Sequence, residues 1–136
     1  MSVGKQDLRQ FNIVATTTLQ NVGELGVGAA AEGVPANMRR YVYYYRAINV
    51  DQTVVGTIFE SLAGVVTPKD SFMLTPVSGT LGQIQNPPGG FPGSEPGGPI
   101  PIMSFRASGF IAVQTSAIGG SGKVMMTFGY YDAPPS

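Results

Sequence analysis

Few side chains in this sequence can do acid–base or ligand chemistry. Its eight carboxylates are Asp7, Glu24, Glu32, Asp51, Glu60, Asp70, Glu95 and Asp132. A calcium loop needs acids at alternate positions, and glycoside hydrolysis needs a facing carboxylate pair. No two of these acids follow such a spacing. Glu60 is the one acid inside a predicted strand, and it is expected on an exposed or interfacial strand face. His and Cys are both absent. That removes the commonest general base, the Ser-His-Asp triad, the imidazole and thiolate metal ligands, and any disulfide framework. The expectation is therefore no catalytic residue, no metal site, no cofactor and no enzyme.

Two glycine runs resemble phosphate-binding loops. Gly26-Val27-Gly28-Ala29-Ala30-Ala31 fits a loose dinucleotide fingerprint, with Asp51 further on. That chemistry needs a helix whose N-terminus meets the pyrophosphate. Gly33 and Pro35 stop any such helix within two turns, so the segment reads as a flexible loop. Gly119-Gly120-Ser121-Gly122-Lys123 is half of a P-loop, but Ala117 and Val124 stand where Gly and Ser or Thr are required. These glycines fit a hairpin connection, where positive φ is needed.

The densest cluster of large polar-tipped side chains is Arg39-Arg40-Tyr41-Val42-Tyr43-Tyr44-Tyr45-Arg46. With strand periodicity, Tyr41, Tyr43 and Tyr45 share one face, while Val42, Tyr44, Arg46, Ile48 and Val50 share the other. The second face reads as core with one arginine in need of a partner. The first reads as a tyrosine ladder. Tyr and Arg are enriched at protein interfaces. The same ladder suits cross-strand packing beneath a loop, or the stacking of sugars or single-stranded bases. The candidate interface residues are Arg39, Tyr41, Tyr43 and Tyr45, joined by Phe91 and Ile100. The last two lie within a segment, Asn86 to Pro101, with six of the eleven prolines and five glycines. Such a segment cannot be a central strand or a helix. It is expected to be an ordered loop that contacts a neighbour.

The elements that would position these residues are strands. Phe11, Ile13 and Ala15 alternate with Asn12 and Val14. Further strands are expected over 39–50, 53–62, 64–67, 71–75, 79–85, 104–116 and 123–131, the last two as a terminal hairpin. On that hairpin Met125 and Tyr131 fall on the nominally outer face, which suggests a covered surface. No helical pattern appears. The fold class predicted is all-β: a single antiparallel β-sandwich or jelly-roll-like domain over 1–136. It has an N-terminal arm (1–10), the Pro/Gly loop (86–101) and a C-terminal tail (132–136).

Charge and hydropathy bound the partners. Lys plus Arg is 8 and Asp plus Glu is 8, together 12% of the chain, about half the usual quarter. A neutral, weakly charged surface favours association. Eight basic residues balanced by eight acids predict no nucleic-acid partner. The polar opening residues predict no signal peptide, and without an 18-residue apolar run no membrane partner is expected.

The run Val34-Pro35-Ala36-Asn37-Met38-Arg39-Arg40-Tyr41-Val42-Tyr43, then Asn49-Val50-Asp51-Gln52-Thr53, resembles the opening hairpin of small β-sandwich proteins of tailed-phage particles. Phe110 to Thr115 with Lys123 to Tyr130 is similar in style. The resemblance is to capsid decoration, or cement, proteins, and it covers about Val34 to Tyr131. It implies a structural virion protein on the capsid surface, made in the host cytoplasm. Its partners would be copies of itself, a trimer being one such homo-oligomer, and a major capsid protein. A receptor- or glycan-binding module is the alternative.

Overall fold

The computed structural model describes residues 8–49, 53–74, 82–86, 101–116 and 124–135; for Asn49 and 82–86 only the backbone path is described. In chain order the strands are β1 (Arg9–Ala15), β2 (Gln20–Gly23), β3 (Gly26–Val27), β4 (Arg39–Asn49), β5 (Val54–Leu62), β6 (Val65–Leu74), β7 (Gly82–Asn86), β8 (Met103–Phe105), β9 (Phe110–Thr115) and β10 (Val124–Ala133). They form two antiparallel sheets that pack face to face as a β-sandwich. The first sheet runs β1-β10-β4-β7, with β8 pairing β4 next to β7's stretch. The second runs β3-β2-β9-β5-β6.

Alternation builds the core. Phe11, Ile13 and Ala15 of β1 point inward, as do Val124, Met126, Phe128 and Tyr130 of β10. The second sheet contributes Val22, Val54, Ile58, Phe72, Leu74, Ile111 and Val113. Phe11 stacks on Phe128 at 5.1 Å between ring centres, and Tyr45 lies 6.0 Å from Phe128 and 5.9 Å from Phe72. Tyr45 thus ties the two sheets together through ring contacts.

Several boundaries differ from those read in the sequence. Residues 65–74 do not form two short strands parted by Pro68. They form one strand, β6, in which Pro68 pairs with Phe59 next to a register shift between Ile58 and Phe59. Pro68 is tolerated because β6 is an edge strand, where a missing N–H need not break a ladder. Residues 104–116 likewise divide. A turn at Arg106–Gly109, with Ser108 at φ 68°, carries the chain from β8 in the first sheet to β9 in the second. β9 and β10 therefore do not form a terminal hairpin. β10 pairs with β1 and β4, whereas β9 pairs with β2 and β5. The connection after β2 is not wholly irregular, since it includes β3 and one 3-10 turn at Gly28–Ala30. Asp132 and Ala133, assigned to the tail, belong to β10, and Asn86 ends β7 instead of opening the loop.

Candidate interaction surface

The tyrosine strand does not keep strict alternation. The register of β4 against β10 shifts between Gly129 and Tyr130: Tyr44 faces Gly129, but Val42 faces Tyr130. Tyr43 is the extra residue of a β-bulge, which breaks the period of two. Before the bulge Arg40 and Val42 point into the sandwich; after it, Tyr45 and Ala47 do. Tyr45, 0% exposed, therefore belongs to the core and leaves the predicted ladder. Tyr44, expected inside, lies outside.

The outer face of the first sheet carries a different set of tyrosines. Tyr41 stacks on Tyr131 at 5.3 Å, Tyr43 stacks on Tyr131 at 6.4 Å, and Tyr43 meets Tyr44 at 5.5 Å. Gly129 makes room for this platform: a Cβ there would collide with Cε1 of Tyr44 and come within 2.9 Å of Cζ of Tyr43. Tyr43 and Tyr131 are 6% and 7% exposed. Burial pushes the Tyr43, Tyr44 and Tyr131 hydroxyls up, helped by a neighbouring phenol at Tyr43 and Tyr131 and opposed by Arg46 at Tyr44. Arg39 sits at the end of the same face, its Nη1 donating to Oγ of Ser104 at 3.2 Å. Arg39, Tyr41 and Tyr43 are thus neighbours, as the sequence suggests. Phe91 and Ile100 lie outside the described residues.

The described carboxylates serve the architecture. Glu60 is not on an exposed face but 1% exposed, at the end of the inner face of β5. It is reached there by Arg106 from the turn before β9. Asp132 accepts from Nε and Nη2 of Arg40 at 2.8 and 2.9 Å, and Arg40 lies 4.4 Å over the Tyr130 ring. Asp70 accepts from the Tyr45 hydroxyl at 2.8 Å and from the N–H of Ser71 at 2.9 Å. Glu32 accepts from the N–H groups of Glu24 and Leu25. Glu24 accepts from Tyr130 at 2.7 Å and from Arg9 at 3.3 Å. Burial first, and the Glu24 bond second, push the Tyr130 hydroxyl up to about 12. Among the described residues no three His, Cys, Asp or Glu side chains converge to hold a metal.

No protein family, curated protein or solved structure matches the chain. The candidate site therefore rests on geometry alone. Sequence periodicity missed Tyr44 and misplaced Tyr45 because a bulge leaves no residue signature of its own. Gly129 opposite a tyrosine-rich strand was the available signal, since Gly in a strand interior marks a close approach.

Proposed function

We propose that this chain is a structural β-sandwich that works by assembling with other proteins, as a decoration or cement protein on the capsid of a virus particle. The observation that carries the reading is the character of its outer surfaces. Val55 and Met73, directly paired across β5 and β6, are both exposed, and Val65 and Val66 follow on the same edge strand. On the other sheet Val14 and Met125 are 42% and 55% exposed on the face that also carries the tyrosine platform. Apolar groups gathered on both outer faces, with so little charge between them, fit a chain that is covered by neighbours. The engagement of every described carboxylate in a structural bond fits a scaffold in the same way.

The platform gives less support to the glycan-binding alternative. Its two central rings, Tyr43 and Tyr131, stack on their neighbours and are nearly buried, so little ring face is open for a sugar.

The test is to raise an antibody against the purified chain and probe virus particles by density gradient, quantitative mass spectrometry and cryo-EM. Many copies spread over the capsid are expected. Absence from particles, or a few copies at a tail tip together with glycan affinity, would overturn the reading.

A further inference from the structure

On the outer face of the first sheet, strand register sorts the side chains into rows. Asn12, Thr127 and Arg46 form one row, and Val14, Met125 and Ile48 form the next. Thr127 Oγ1 donates to Asn12 Oδ1 at 2.6 Å. That bond orients the Asn12 amide, whose two N–H donors meet no acceptor among the described residues. Further along the row, between Thr127 and the β7 position Gln85, Nε of Arg46 is buried with no hydrogen-bond partner among the described residues, and no described carboxylate pairs with its guanidinium. A desolvated donor on a charged group is expensive to leave unmatched. The described acids do not relieve it. Asp132 lies on the inner parity of β10 with Arg40. Glu24, which lines the same groove, is engaged by Arg9 and Tyr130. The groove has a volume of about 740 Å³ and is walled by the turn around Leu25.

We infer that this groove seats an acidic side chain of an extended segment of a partner protein, with apolar residues two positions away from it. Its carboxylate accepts from the Arg46 guanidinium and the Asn12 amide. Its neighbours rest on Val14, Met125 and Ile48. A guanidinium favours a carboxylate because its fork matches the two oxygens. The ligand is a protein segment because the polar and apolar rows are two residues apart along each strand, about 7 Å. Side chains two apart on an extended segment have the same spacing. It is not the described part of a second copy, because each described carboxylate is already bonded within its own chain. The inference rests on reading the chain as an assembling protein, and it names the chemistry of what that face meets.

The experiment uses the full chain, labelled with ¹⁵N, and two probes: acetyl-Leu-Ser-Glu-Ser-Leu-amide and acetyl-Leu-Ser-Gln-Ser-Leu-amide, in which each leucine is two positions from the central residue. NMR follows the Arg46 Nε–H and Asn12 side-chain amide signals as each peptide is added at millimolar concentrations. The Glu peptide is expected to shift both signals saturably and to bind about tenfold more tightly than the Gln peptide, the scale of one charge-assisted bond. Arg46→Met should bring the two peptides to equal affinity. Asn12→Asp, which supplies a carboxylate within the row, should do the same without removing Arg46, so the result does not hang on one variant's folding. Equal affinities for the unaltered chain, shifts centred away from this row, or no binding would overturn the proposal. So would concentration-dependent self-association lost in Arg46→Met, because the occupant would then be a second copy. If the peptide selectivity holds but the chain is absent from particles, only the particle role fails.

Discussion

Arg106 gives Glu60 three hydrogen bonds at once. Oε1 accepts from Nε at 3.0 Å and from Nη2 at 2.7 Å, while Oε2 accepts from the Arg106 backbone N–H at 2.7 Å. The carboxylate is buried, but more than half of the Arg106 side chain is in solvent. The pair therefore acts as a latch. It fixes the turn that carries the chain from β8 to β9, and it spares the interior an uncompensated charge. Glu60→Gln keeps the size but turns an amide N–H₂ toward the Arg106 donors. It should lower unfolding stability by about 2 kcal/mol, the scale of bonds to a charged group, read as a lower urea midpoint with unchanged slope.

The same latch predicts the acid limb of stability. Burial alone would raise the Glu60 carboxyl, but the side-chain and backbone bonds from Arg106, with the charge of Lys69, hold it below its ordinary value. The folded pKa is thus lower than the unfolded one. The latch's contribution is full above the ordinary glutamate range and is lost as pH falls through the folded value. Urea midpoints measured downward from neutral pH should fall more steeply for the native chain than for Glu60→Gln. Parallel acid limbs would refute the assignment.

Asp132 and Arg40 form a second buried pair, with the arginine the more deeply buried partner. Asp132→Val would strand a guanidinium inside the sandwich and should destabilise by on the order of 3 kcal/mol. The double variant Arg40→Met, Asp132→Val removes both charges and should recover most of that loss. A double variant as unstable as the sum of its two singles would show that the residues act independently.

Tyr130 predicts the alkaline limb. Its folded pKa of about 12 exceeds the unfolded value of 10.0. Its contribution is complete below the unfolded value and declines as pH rises toward the folded one. In ultraviolet titration part of the tyrosine absorbance change should come only near pH 12. Tyr130→Phe should remove that step and flatten the loss of stability at high pH.

Gly129 tests the platform. Gly129→Ala should destabilise the fold by about 1–3 kcal/mol, because the new methyl displaces the Tyr44 ring. The near-ultraviolet circular dichroism of the stacked rings should weaken with it. Adding Tyr44→Ala should restore part of the stability, which a purely conformational glycine effect would not allow.

Much of the fold was legible in the sequence. β1, β4 and β5 were readable because each is long enough for alternation or a dense aromatic run to stand out. Pro68 divides β6 in a reading of the sequence, which does not say which strand will lie at an edge. The terminal hairpin was misread for a related reason. Adjacency in sequence favours pairing, but the turn at Arg106–Gly109 sends β9 to the other sheet. The tyrosines were found by composition, and their facing was lost at the bulge. The Glu60–Arg106 and Arg40–Asp132 pairs join residues 46 and 92 positions apart, beyond the reach of any local pattern.

The place of β10 bears on how the chain is made. β1 and β4 do not pair with each other; each pairs with β10, the last of the described strands to be synthesised. Until Val124 to Ala133 has left the ribosome, the first sheet has a gap in its middle and two bare edges that other chains can occupy. Closing such distant partners is slow, because the loop must be ordered before the contacts form. Nascent chains crowded on one message are therefore the point in the protein's life when cross-pairing between copies is easiest.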